Sequence, residues 1–80
     1  MKNLIEKFEA ELALLADDQL VARFNREVGN RGWVNARAFF LEALRNQFVK
    51  RDINFTLIQN EMGGLKLANK VQLWENKLIF

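Results

Sequence analysis

Few side chains in this 80-residue chain are equipped for chemistry, and the most concentrated group of them is cationic. Arg23, Arg26, Arg31 and Arg37 lie close together in the sequence. Guanidinium donors pair in a fork with phosphate or carboxylate, so four of them meeting around one turn predict a patch for an anionic partner. Backbone amides at the start of the following helix would add to it. The competing reading is a solvated face paired within the chain. Glu27 stands four residues after Arg23, and Asp17 or Asp18 is available to another arginine. Exposed ion pairs of this kind are common and energetically slight.

Two aromatic residues are candidates for an apolar contact, Trp74 and Phe80, because exposed aromatic rings anchor binding surfaces. Trp74 is out of step with Val71 and Leu73 and should point to the opposite face of a strand. The alternative for Trp74, and for Trp33, is the core or its edge, since a domain this small needs the buried area.

The absent residue types narrow the function further. The sequence contains no His, Cys, Ser, Tyr or Pro, and Thr56 is its one side-chain hydroxyl. General acid–base or nucleophilic work would fall to Asp, Glu, Lys or that threonine, which excludes most hydrolase and transferase schemes. No enzymatic activity and no catalytic residue is expected. Glu6, Glu9 and Glu11 do not cluster on one helical face and have no imidazole or thiolate beside them, so no metal site is expected. Gly63-Gly64 is embedded in neither a P-loop nor a dinucleotide fingerprint, so no cofactor is expected. Without cysteine there is no disulfide framework, a usage that fits the cytoplasm. The stretch from Met1 to Leu15 is broken by Lys2, Glu6, Lys7, Glu9 and Glu11 and reads as neither membrane anchor nor signal peptide.

Charge is unevenly spread although the net value is only +2. In residues 1–18, Lys2 and Lys7 face five carboxylates, whereas in 19–51 only Glu27 and Glu42 oppose the arginines and Lys50. Residues 52–80 balance. The basic middle is therefore the part to test for anionic partners, and its bland alternative is packing against the acidic first helix.

These side chains must be positioned by one core, because a chain this short cannot divide into two domains. Residues 1–80 are read as a single domain. Leu4, Ile5, Phe8, Leu12 and Leu15 recur at steps of three and four, predicting a helix over roughly 3–15. Asp17 or Asp18 would cap a second helix carrying Leu20, Val21, Phe24 and Val28, with Gly29 as a left-handed stop. A third helix, capped by Asn35, runs to about residue 50 with Ala36, Phe39, Phe40, Ala43, Leu44 and Phe48 in helical period. The period then shortens to two in Ile53–Leu57, Leu65–Leu67 and Val71–Leu73, predicting three or four short strands. Glu75-Asn76 would turn a hairpin whose last strand, Leu78–Phe80, must be paired within the domain or across a dimer. The expected fold is α+β: a three-helix N-terminal part followed by a small antiparallel sheet, the C-terminal β-hairpin, packed on helix three.

Two helices joined through a glycine turn and followed by a hairpin resemble, in architecture only, a helix-turn-helix or winged-helix domain over roughly residues 20–75. That resemblance implies a DNA-reading third helix. Its start supplies Asn35 and Arg37, but its outward arc also carries Glu42, which would face phosphate. The functional expectation is therefore a small non-catalytic interaction module acting through protein–protein contacts or self-association. The alternative is a nucleic-acid-binding domain using the arginine surface.

Overall fold

Asn3 opens the chain's first helix by accepting the Glu6 N–H on its Oδ1 at 2.9 Å, satisfying one of the amides a helix start leaves unpaired. The computed structural model describes residues 3–29 and 36–80. Among them, α1 (Leu4–Leu12), α2 (Asp17–Glu27) and α3 (Arg37–Lys50) precede a 3-10 turn (Thr56–Ile58) and the strands β1 (Gln72–Trp74) and β2 (Lys77–Ile79). The α+β expectation holds: three helices, then a two-stranded antiparallel sheet.

Helix α1 is shorter than its apolar stripe, because past Leu12 the chain turns, and Leu15 packs against the core from outside the helix. The second helix is not capped by an aspartate. Ala16 occupies the extended cap position, its N–H donates to Gln19 Oε1 at 2.9 Å, and Asp17 and Asp18 fall in the first turn. There the helix dipole favours their charge. Gly29, at φ +79°, ends α2 in the left-handed conformation expected of it. The Asn35 cap and Trp33 lie outside the described residues.

Helices α1 and α3 pack on one another, with the Phe8 and Phe40 rings edge-to-face at 5.5 Å. Phe24, Phe40, Phe48, Leu20, Leu44 and Leu78 are fully buried, so all of α2, α3 and the hairpin contribute to one core. At these sizes such side chains supply most of the burial free energy, about 1.5–3 kcal/mol each. The hairpin joins the helices mainly through β1 against α2 and β2 against the 3-10 turn.

Helix α3 ends in a double closure: Ile53 N–H reaches Phe48 carbonyl at 2.9 Å and Asp52 N–H reaches Val49 carbonyl at 3.1 Å. This Schellman arrangement sends Asp52 into the left-handed region at φ 57° and aims Ile53 back into the core.

The strands expected at Ile53–Leu57 and Leu65–Leu67 do not form. Each is reduced to an isolated bridge, Asn54 with Lys77 in parallel and Gln59 with Leu65 in antiparallel sense. Asparagine side chains are the reason, because they offer the backbone a closer partner than a neighbouring strand. Asn54 Oδ1 takes the Thr56 N–H at 3.0 Å, and Asn60 Oδ1 takes both Met62 and Gly64 N–H at 2.9 Å. The apolar alternation survives as burial of Ile53, Ile58 and Leu65 without a ladder.

The hairpin itself pairs Gln72 with Ile79, Leu73 with Leu78 and Trp74 with Lys77. Glu75 and Asn76 both have positive φ, 48° and 61°, the pattern of the tight turn whose twist matches antiparallel strands. The terminal apolar strand is thus paired within the domain.

Candidate functional site

The four arginines do not share one environment. Arg23 forms an ion pair with Glu27, which is only 5% exposed, and its guanidinium carbon lies 4.5 Å from the centre of the Phe40 ring. A cation over an aromatic face and beside a buried carboxylate is held inside the fold. Arg26, exposed in the last turn of α2, and Arg37, half-buried at the start of α3, have no ion-pair partner among the described residues. Arg31 lies outside the described residues.

The rest of the basic middle among the described residues is paired within the chain. Lys50 Nζ meets Glu9 at 3.2 Å, and Arg45 pairs with Glu42 while donating from Nε to Gly63 carbonyl at 3.1 Å. Arg51 reaches Asp17 at 3.0 Å, Leu12 carbonyl at 3.1 Å and Gln47 at 3.3 Å. Two of these pairs lead to acidic groups on α1 or at the start of α2, so much of the basic stretch balances the acidic N-terminal part.

Trp74 and Phe80 are both open, at 60% and 64% exposure, so the core position weighed for Trp74 is not the one it takes. The hairpin register explains this: Leu73 and Leu78 face the core, which turns Trp74 to the other side beside Lys77. Phe80 follows Leu78 in the alternation and so does not share the Trp74 face.

Phe80 instead stands between hollows at the end of the hairpin. On one side a hollow of about 460 Å³ is bounded by Asn54, Thr56, Leu57, Lys77 and Ile79. On the other, smaller spaces are bounded by Leu57, Lys66, Ala68, Asn69 and Lys70. Lys66, Lys70 and Lys77 are exposed and have no ion-pair partner among the described residues. No carboxylate side chain lines these hollows. The arrangement is an aromatic ring in a cationic frame.

The lysines were invisible to sequence reasoning because charge balances over residues 52–80. Their signal is spatial: each hollow around Phe80 is lined by one lysine, and Glu61 and Glu75 line none of them.

Among the described residues no group of three or more His, Cys, Asp and Glu is placed to hold a metal ion. No described helix is long and apolar enough to cross a membrane. Compared with protein-family models, curated proteins and solved structures, the chain matches none.

Proposed function

We propose that this protein is a small, non-catalytic interaction module of the cytoplasm that receives a partner protein at the end of its C-terminal hairpin. The observation that carries this reading is Phe80, a large apolar ring 64% exposed between hollows framed by Lys66, Lys70 and Lys77. Leaving such a ring in water forfeits burial free energy of about 2 kcal/mol, which a partner covering it would recover. Unpaired lysines around an apolar centre match the polar rim of a protein interface.

The second reading is nucleic-acid binding through Arg26 and Arg37, favoured by their lack of carboxylate partners among the described residues. Against it, α3 buries Phe40, Ala43, Leu44, Gln47 and Phe48, and Phe39, Glu42 and Val49 on its open side offer little to phosphate or base edges.

Selection from a random-peptide library on the immobilised protein separates the two. Enrichment that is lost on Phe80→Ala and kept in an Arg26→Ala/Arg37→Ala variant supports the interaction module. Absence of enrichment, together with duplex binding that falls steeply with salt and vanishes in the arginine variant, overturns it.

A further inference from the structure

The ladder between Asn54 and β2 stops after one rung, and the way it stops leaves a place for another strand. Asn54 N–H donates to Asn76 carbonyl at 2.8 Å, and Leu78 N–H donates to Asn54 carbonyl at 2.9 Å, which is one parallel bridge. In a continued parallel ladder Thr56 would give its N–H to Leu78 carbonyl and accept from Phe80 N–H. Both groups of Thr56 are engaged elsewhere. Its N–H goes to Asn54 Oδ1 at 3.0 Å, and its carbonyl accepts from Gln59 N–H at 3.2 Å as the chain coils into the 3-10 turn. Leu78 carbonyl and Phe80 N–H are consequently left on the outer edge of β2, facing the 460 Å³ hollow.

On the opposite side of the hairpin, side-chain cover reaches the residue just before β1. Asn25 takes the outward N–H and carbonyl of Val71 with its side chain, both at 2.8 Å. The open groups of Leu78 and Phe80 lie beside an apolar wall of Leu57 and Phe80.

We propose that this wedge between Thr56 and Phe80 binds an extended, acidic and apolar peptide segment of a partner, which takes the ladder position that Thr56 vacates. One residue of the incoming strand donates its N–H to Leu78 carbonyl and accepts from Phe80 N–H, opposite Ile79. Its apolar neighbours cover Leu57 and Phe80, and its carboxylates meet Lys66, Lys70 and Lys77. Backbone groups spaced for a strand favour a peptide over a nucleic acid, whose phosphates need only the lysines. This inference rests on the interaction-module reading and names the partner's chemistry.

The test is an amide-resolved NMR titration of the full chain with a capped heptapeptide alternating glutamate and valine. Expected are shifts confined to Thr56, Leu57, Lys66, Lys70 and Lys77–Phe80, and slowed hydrogen exchange at Phe80 N–H. Single N-methylations scanned along the peptide should weaken binding about tenfold at the one position whose N–H points at Leu78 carbonyl and little elsewhere, since only there does the methyl remove a ladder bond. Reversing the exposed lysines in a Lys66→Glu/Lys70→Glu/Lys77→Glu variant should abolish binding of this peptide. A uniform N-methyl scan, or shifts away from the wedge, would overturn the proposal. So would oligo-thymidylate moving the same amides where the peptide does not, or a concentration-dependent dimer protecting Phe80 N–H without peptide. If library peptides of other composition bind and need Phe80 while the glutamate–valine peptide does not bind, this inference fails and the interaction-module reading stands. If no peptide binds at Phe80, both fail.

Discussion

The carboxamide of Asn25 on α2 stands in for a β-strand opposite Val71. Its Nδ2 donates to Val71 carbonyl and its Oδ1 accepts the Val71 N–H, each at 2.8 Å. Val71 is buried, so these two backbone groups have no recourse to water, and the clasp fixes where the hairpin meets the second helix.

Replacing Asn25 with alanine leaves a buried donor and a buried acceptor unpaired. At about 1–3 kcal/mol for an unsatisfied buried group, the cost should be about 2 kcal/mol, moderated by partial solvent access around Asn25. Urea denaturation of the Asn25→Ala variant measures it, and hydrogen exchange at Val71 should accelerate more than at Leu78. Asn25→Asp should be no less damaging, because it keeps the acceptor but sets a second oxygen against Val71 carbonyl. A variant with full stability would show that α2 and β1 are joined by apolar packing alone.

How this clasp arises also shows what was legible in the sequence. The helical stripes of Leu4–Leu12 and Phe40–Phe48 and the Glu75-Asn76 turn follow from spacing and local backbone preference, and the structure contains them. Arg23 with Glu27 was legible too, one helical turn apart. Contacts between distant residues were not. Asn25 to Val71, Arg51 to Asp17 and Lys50 to Glu9 join positions 46, 34 and 41 residues apart, and no local pattern announces them. The two missing strands failed for a related reason. Alternation in Ile53–Leu57 and Leu65–Leu67 reports which side is buried, whereas pairing depends on where Asn54 and Asn60 place their side-chain oxygens. The lysines around Phe80 leave no trace in the sequence, where Asp52, Glu61 and Glu75 balance them over residues 52–80.

Arg51 fastens the end of α3 to the junction of the first two helices through Asp17, Leu12 carbonyl and Gln47. Its side chain is 17% exposed, so the pairs are partly shielded from solvent. A lysine keeps the charge but cannot serve three directions with a planar fork. Arg51→Lys should therefore cost about 1–2 kcal/mol, from one or two lost charge-assisted bonds. A matched Lys50→Arg variant, at a more exposed ion pair, should change stability by less than about 0.5 kcal/mol. Equal effects of the two substitutions in thermal unfolding would argue against the three-way role of Arg51.

Two arginines one turn apart on α2 should respond oppositely to removal. Arg23 neutralises the buried Glu27 carboxylate and covers the Phe40 ring, whereas Arg26 is exposed with no ion-pair partner among the described residues. Arg23→Ala removes a charge-assisted bond to Glu27 and the cover over the Phe40 ring, at a side chain 28% exposed, so it should cost about 2 kcal/mol. Arg26→Ala should stay within about 0.5 kcal/mol of the parent. Denaturant midpoints of the two variants decide this, and a stability loss at Arg26 as large as at Arg23 would refute the assignment of Arg23 to the fold.

Asp52 holds a position that glycine fills more readily. It sits at φ 57° just after α3, where its N–H reaches Val49 carbonyl at 3.1 Å and the next residue, Ile53, returns to Phe48. The left-handed conformation costs an L-residue about 1–2 kcal/mol, less for aspartate, and a glycine pays nothing sterically but loses more chain entropy. The balance favours Asp52→Gly by about 0.5–1 kcal/mol, as both closing hydrogen bonds belong to the backbone and survive the change. In a domain of this size that is an upward shift of about 2–8 °C in Tm. Asp52→Ala supplies the control, since it keeps the Cβ and gives up the local polar tolerance of aspartate, so its Tm should fall. A glycine variant no more stable than the alanine one would mean that the end of α3 is held by Ile53 packing and not by the backbone turn.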